Sequence, residues 1–118
     1  MNSSVNVLGT EYSIIRKKYD EDKAFSEGLS GYACLHAPVI CVGDLETFPE
    51  MEDCDFVEIE LMEKAVLRHE IVHAFLNESG LSYSSASCNA WAANEEMVDW
   101  IAKQGLKIHK AWEEAGAI

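Results

Sequence analysis

Five consecutive residues, His69-Glu70-Ile71-Val72-His73, have the plainest chemical capacity in this sequence. Two imidazoles four positions apart on a helix share one face, with their Cβ atoms roughly 5–6 Å apart. Side chains at that spacing can both reach one divalent ion at about 2.0–2.1 Å, the zinc–nitrogen distance. Glu70 follows the first imidazole directly, so it lies beside such an ion and can hold a water without taking a coordination position. With 4 His and 15 Glu in 118 residues, a random order would yield this motif only roughly 0.02 times. The competing reading is two core or surface histidines flanking a glutamate by accident. It is weakened by the cost of burying two imidazoles on an apolar face without a shared partner.

A catalytic zinc needs three protein ligands and one open position. The metzincin pattern would place Gly at 76 and His at 79, but those positions hold Leu76 and Ser79. The run Asn94-Glu95-Glu96-Met97-Val98-Asp99 follows after enough chain to reverse direction, and a glutamate there can complete a His-His-Glu set. Helix phase separates the two candidates: Glu95 shares its stripe with the apolar Val98 and Ala102, whereas Glu96 shares its stripe with Trp100 and Lys103. Glu95 is the expected third ligand and Glu96 its solvated neighbour.

These residues need elements to hold them. Asp55 and Glu58 have the spacing of a capping box, and Gly80 stands where a helix would end, which predicts a helix from Asp55 to about Gly80. Met62, Ala65, Val66, His69, Val72, His73 and Leu76 fall on one stripe of it, placing both histidines inward. After a serine-rich connection, a second helix is predicted from about Ala90 to Gln104, with inward Trp91, Glu95, Val98 and Ala102. Gly105 interrupts it, and a third stretch, Leu106 to Glu114, follows with Ile108, Ala111 and Trp112 as its apolar side. Trp100, off the inward stripe, is the candidate for an exposed contact.

The half before Pro49 reads differently. Thr10 to Lys17 predicts one strand, Gly31 to Val42 two short strands around a turn at His36-Ala37-Pro38, and Asp20 to Ser30 a loop or short helix. The expected fold class is α+β: a small antiparallel sheet in the first half, packed on the active-site helix and one or two further helices, as one domain over residues 1–118.

His69, Glu70, His73 and Glu95, with Asn94 and Asp99 around the last, resemble the gluzincin pattern HExxH followed by NExxxD, as in thermolysin-type zinc peptidases. The segment from Leu67 to Lys103 is similar more specifically to the minimal single-domain gluzincins of bacteria and phages, the ImmA/IrrE type. The resemblance implies a zincin-like fold, Zn2+ as cofactor, hydrolysis of a peptide or protein substrate, and Glu70 as general base. It also implies that Asn94 and Asp99 orient the ligand histidines; the plain alternatives are an N-terminal cap for Asn94 and an exposed helix carboxylate for Asp99. The larger peptidases add a distal His or Tyr that stabilises the oxyanion. His36, Tyr83 and His109 are the candidates, each also readable as an ordinary residue. A peptide substrate is expected along the sheet edge near Ala33 to Val42.

Composition sets the outer limits. Hydrophobic residues make up 48% and charged residues 25% of the chain, which fits a folded globular protein. With 21 Asp and Glu against 9 Lys and Arg, the net charge is −12, a field that repels nucleic acid and anionic membranes. The N-terminal residues show no basic and apolar leader pattern, so the expectation is a cytoplasmic protein whose four cysteines, none in a CxxC, are reduced. Cys34 and Cys41 could still face each other across the predicted hairpin. A reading of another class is a zinc-binding regulatory or interaction protein of a mobile element, with little or no hydrolytic activity. His-His-carboxylate sets also accept manganese or iron.

Overall fold

In the first half of the chain, strands form where β-prone residues alternate between turn formers. The computed structural model describes residues 1–34, 36–84, 92, 94–116 and 118. Strand β1 (Ser4–Val7) turns at Leu8 and Gly9, both at positive φ, into β2 (Thr10–Lys17), and the Asn6 Oδ1 accepts the Gly9 N–H at 3.0 Å. A short helix α1 (Lys23–Ser26) follows, capped by the Asp22 carboxylate. Then β3 (Gly31–Ala33) and β4 (Val39–Gly43) form the hairpin expected around residues 36–38.

The sheet order is β1-β2-β4-β3. The class is α+β, but the sheet is mixed, because β2 and β4 pair in parallel while the two outer pairs are antiparallel. A parallel pair needs a crossover of a dozen residues or more, and the segment from Lys18 to Pro38 supplies it. Phe25 from that segment is buried against Cys41, Leu45 and Phe48, which covers one face of the sheet. The strand register sets Tyr32 opposite Cys41, so Cys34 does not face Cys41, and both thiols are free.

The other face of the sheet receives α2 (Phe56–Glu78). Its N-terminus carries the expected capping box, with Asp55 Oδ1 accepting the Glu58 N–H at 2.8 Å and Glu58 Oε2 accepting the Asp55 N–H at 3.1 Å. It ends at Ser79, with Gly80 at φ +82°. The predicted single stripe is only part of what α2 buries. Ile59, Glu63, Glu70 and Ala74 are buried while Met62 is exposed, so one side of α2 meets the sheet and another, at Val72 and Leu76, meets the next long helix.

A short helix α3 (Leu81–Ser84) leads towards α4 (Glu95–Glu114). The predicted break at Gly105 is absent, and α4 runs through it. One interior glycine costs only about 1 kcal/mol relative to alanine, too little to stop a helix whose pattern continues on both sides. Val98 and Ala102 are buried as expected, whereas Ala111 and Trp112 are exposed and only Ile108 is half-buried. Trp100 is exposed. Trp91 lies outside the described residues. No helix among the described residues is long and apolar enough to cross a membrane.

Candidate metal centre

The fourth and fifth turns of α2 set His69, Glu70 and His73 together, with donor atoms all within 4.8 Å of one another, a group that could hold a metal ion. The imidazole Nε2 atoms lie 3.0 Å apart. The Nδ1 of His69 is 2.7 Å from Asp99 Oδ1. A carboxylate only accepts, so that contact fixes the proton on Nδ1 and leaves a lone pair on Nε2.

The first turn of α4 closes the site from above. Glu95 Oε2 is 3.2 Å from His69 Nε2, and Glu95 Oε1 is 3.2 Å from His73 Nε2. Bonds of about 2.05 Å in a tetrahedral site put neighbouring donor atoms about 3.3 Å apart. The Nε2–Nε2 spacing is close to that edge length, each imidazole has a different Glu95 oxygen at 3.2 Å, and Glu70 stands further off, 3.9 Å from His69 Nε2. The donor set could therefore hold a small metal ion. Glu95 and Asp99 reach α2 because they share the α4 stripe with Val98 and Ala102, whose burial fixes the roll of the helix.

Asn94 lies at the N-terminus of α4, where its Oδ1 accepts the Met97 N–H at 2.9 Å, the capping role, while Asp99 makes the contact to a ligand ring. Glu96 points to solvent. Of the three oxyanion candidates, His36 lines a separate cleft with Tyr12, Asn77 and Glu78. His109 is exposed ten residues beyond Asp99 on α4, about 15 Å along the axis. The Tyr83 side chain lies outside the described residues.

Burial dominates the electrostatics. Glu70 is 6% exposed, and desolvation, aided by the nearby Glu95 carboxylate, pushes its pKa up to about 7 against the opposing pull of His69 and the Ala33 backbone N–H. A carboxyl poised there can exchange a proton at neutral pH. Burial also pushes His73 down, favouring the neutral imidazole that binds metal.

Two features of the site have no signature in the sequence motif. Gly31 presses β3 onto α2: a Cβ there would stand 2.6 Å from Val66 Cγ1 and 2.7 Å from the Cys41 carbonyl oxygen. That approach brings the Ala33 N–H to Glu70. A glycine opening a predicted strand was the only available hint. Arg68, next to His69, reaches α4 and donates from Nε to the Ala102 carbonyl at 3.3 Å.

The candidate metal centre lies where two clefts meet. One, about 430 Å³, includes Arg68, Asp99 and Lys103; the other, about 330 Å³, includes Tyr32, His73 and Asn77; His69, Glu70 and Glu95 border both. A larger cavity, about 500 Å³, lies elsewhere, between β2 and the start of α2. Its buried carboxylate, Glu63, is already engaged by two Arg16 donors at 2.7 and 2.8 Å, so volume alone does not mark the reactive site.

Comparison of the chain with protein-family models, with curated proteins and with solved structures finds no match in any of the three.

Proposed function

We propose that the protein is a zinc-dependent peptidase in which His69, His73 and Glu95 hold the ion and Glu70 is the catalytic proton carrier. One observation carries this reading: two imidazole nitrogens and a carboxylate converge at 3.0 to 3.2 Å beside a buried carboxyl group that is not one of the converging three. A divalent ion held there supplies Lewis acidity, polarising a carbonyl and acidifying a water.

The chain's own groups do the rest. Glu70 takes a proton as the water oxygen bonds to the scissile carbonyl carbon. The same carboxyl then gives that proton to the amide nitrogen as the C–N bond breaks, leaving a carboxylic acid and an amine. Asp99 holds the His69 ring in its Nδ1–H form throughout. The short β3 edge beside Glu70 offers backbone groups to an extended peptide. Resemblance to the gluzincin pattern supports the same assignment.

The test is peptide turnover by the zinc-loaded wild type beside Glu70→Gln. The expected result is hydrolysis by the wild type and its loss in the variant at equal zinc content. Equal turnover in both would reject Glu70 as the proton carrier. Zinc bound firmly with no turnover of any peptide would instead favour the regulatory zinc-module reading.

A further inference from the structure

In a chain with 21 carboxylates, a cation without one nearby is conspicuous. Five of the nine Lys and Arg side chains lie within 4 Å of a carboxylate, as Arg16 does with Glu63 and Lys17 with Asp22. Among the described residues, four do not, and two of those four, Arg68 and Lys103, line the same 430 Å³ cleft beside the metal centre. Among the described residues, no Lys or Arg lines the cleft on the other side of the centre.

Of the three acidic groups that line the Arg68 cleft, Glu70 accepts the Ala33 N–H and the other two are occupied by the histidines. Asp99 accepts from His69, and Glu95 spans both Nε2 atoms. Arg68 uses only its Nε on the Ala102 carbonyl, which steadies the guanidinium and leaves its Nη donors for another acceptor. The protein's overall charge of −12 would repel an anion from afar, but at physiological salt that field is screened beyond about 8 Å. Within the cleft, the local cations decide.

We infer that this cleft is a carboxylate subsite: Arg68 and Lys103 receive a carboxylate of the bound peptide, either its C-terminal group or an Asp or Glu side chain. The inference rests on the peptidase reading for its ligand, and it adds the substrate's charge and the side of the metal on which that charge sits.

The full chain carrying Glu70→Gln, loaded with zinc, allows binding to be measured without turnover. Calorimetric titrations would compare short N-acetylated alanine peptides with a free C-terminus, with an amidated C-terminus, and amidated with one internal Glu or Gln. The expected result is binding of a carboxylate peptide at least about tenfold tighter than its neutral counterpart. Amidation removes the gain if the C-terminus is the source, and Glu-to-Gln exchange removes it if a side chain is. Lys103→Glu and, independently, Arg68→Gln should each cut the preference while zinc content stays the same; the exposed Lys103 position tolerates its change without loss of fold.

Equal affinity for charged and neutral peptides, including no binding of either, would overturn the inference. So would a preference that survives both substitutions but needs zinc, since the carboxylate would then be sitting on the metal. Wild-type turnover is scored separately. A peptide bound with the expected preference but never hydrolysed rejects the peptidase reading and keeps the subsite, whereas hydrolysis without the preference rejects the subsite alone.

Discussion

Helix α2 carries three inward carboxylates about two turns apart, Glu63, Glu70 and Glu78, and they meet different fates. Glu63 is engaged by both ends of the Arg16 guanidinium. Glu78 receives the hydroxyls of Tyr12 at 2.7 Å and Thr10 at 2.9 Å. Among the described residues, Glu70, as deeply buried as Glu63, has no Lys or Arg paired to it; its neighbours are the Ala33 N–H, the His69 imidazole and the Glu95 carboxylate. The first two tie the helix to strand β2. The third is left reactive, since a buried carboxyl lacking a full complement of partners holds its proton to neutral pH.

The largest break in that comparison comes from the site itself. Glu70→Gln should lower turnover by roughly a hundred- to ten-thousand-fold with zinc content intact, while Glu63→Gln should leave turnover per folded molecule unchanged; steady-state kinetics on both variants checks this, and an equal loss in the two would erase the distinction.

The metal-free protein offers a second test, through pH. The carboxyl of Glu70 titrates near 4.5 in an unfolded chain and about 7 in the fold. The folded state therefore holds the proton more tightly, and the stability tied to it is complete below pH 4.5 and lost as pH rises through 7. The loss is about 3 kcal/mol for that interval at 1.36 kcal/mol per unit. His73 titrates in the opposite sense, so the informative quantity is the difference between wild type and variant. In chelator-treated samples Glu70→Gln should be the more stable by up to about 3 kcal/mol at pH 8, and the two should converge by pH 4.5. Denaturation curves that keep a constant gap across that range would show that Glu70 is not held neutral by burial.

The structural carboxylates sharpen the contrast at smaller scale. Glu63→Gln should destabilise by about 2 kcal/mol, because the salt bridge is half open to solvent on its Arg16 side. Tyr12→Phe, which removes one donor from Glu78, should destabilise by about 1 kcal/mol. Chemical denaturation measures both, and zinc affinity should be unmoved in each. A change in zinc affinity would mean that the anchors and the metal centre are coupled through α2.

The parts of this arrangement that sequence could reveal are those fixed by local spacing. The histidine pair, the Asp55 cap, the Gly80 stop and the strand Thr10–Lys17 all follow from rules acting within one turn or one strand. That Glu95 faces the two imidazoles while Glu96 faces solvent also follows from spacing, because Val98 and Ala102 define which side of α4 is buried. What escaped was set by distant contacts. The parallel pairing of β2 with β4 depends on where the crossover packs Phe25, and strand periodicity is the same for either direction. The depth at which Glu70 is buried had no mark in the pattern, since a helix packed on two sides has no single stripe to read. The Arg68 contact to α4 joins residues 34 positions apart, and no motif spans them.

The measurement that bears most directly on the metal centre is ion content by native mass spectrometry of the purified chain supplied with zinc, beside His73→Ala, Glu95→Gln and Glu96→Gln. One ion per chain is expected in the wild type and in Glu96→Gln, with weakened binding in the other two. A wild type that takes up no ion under those conditions would contradict that expectation.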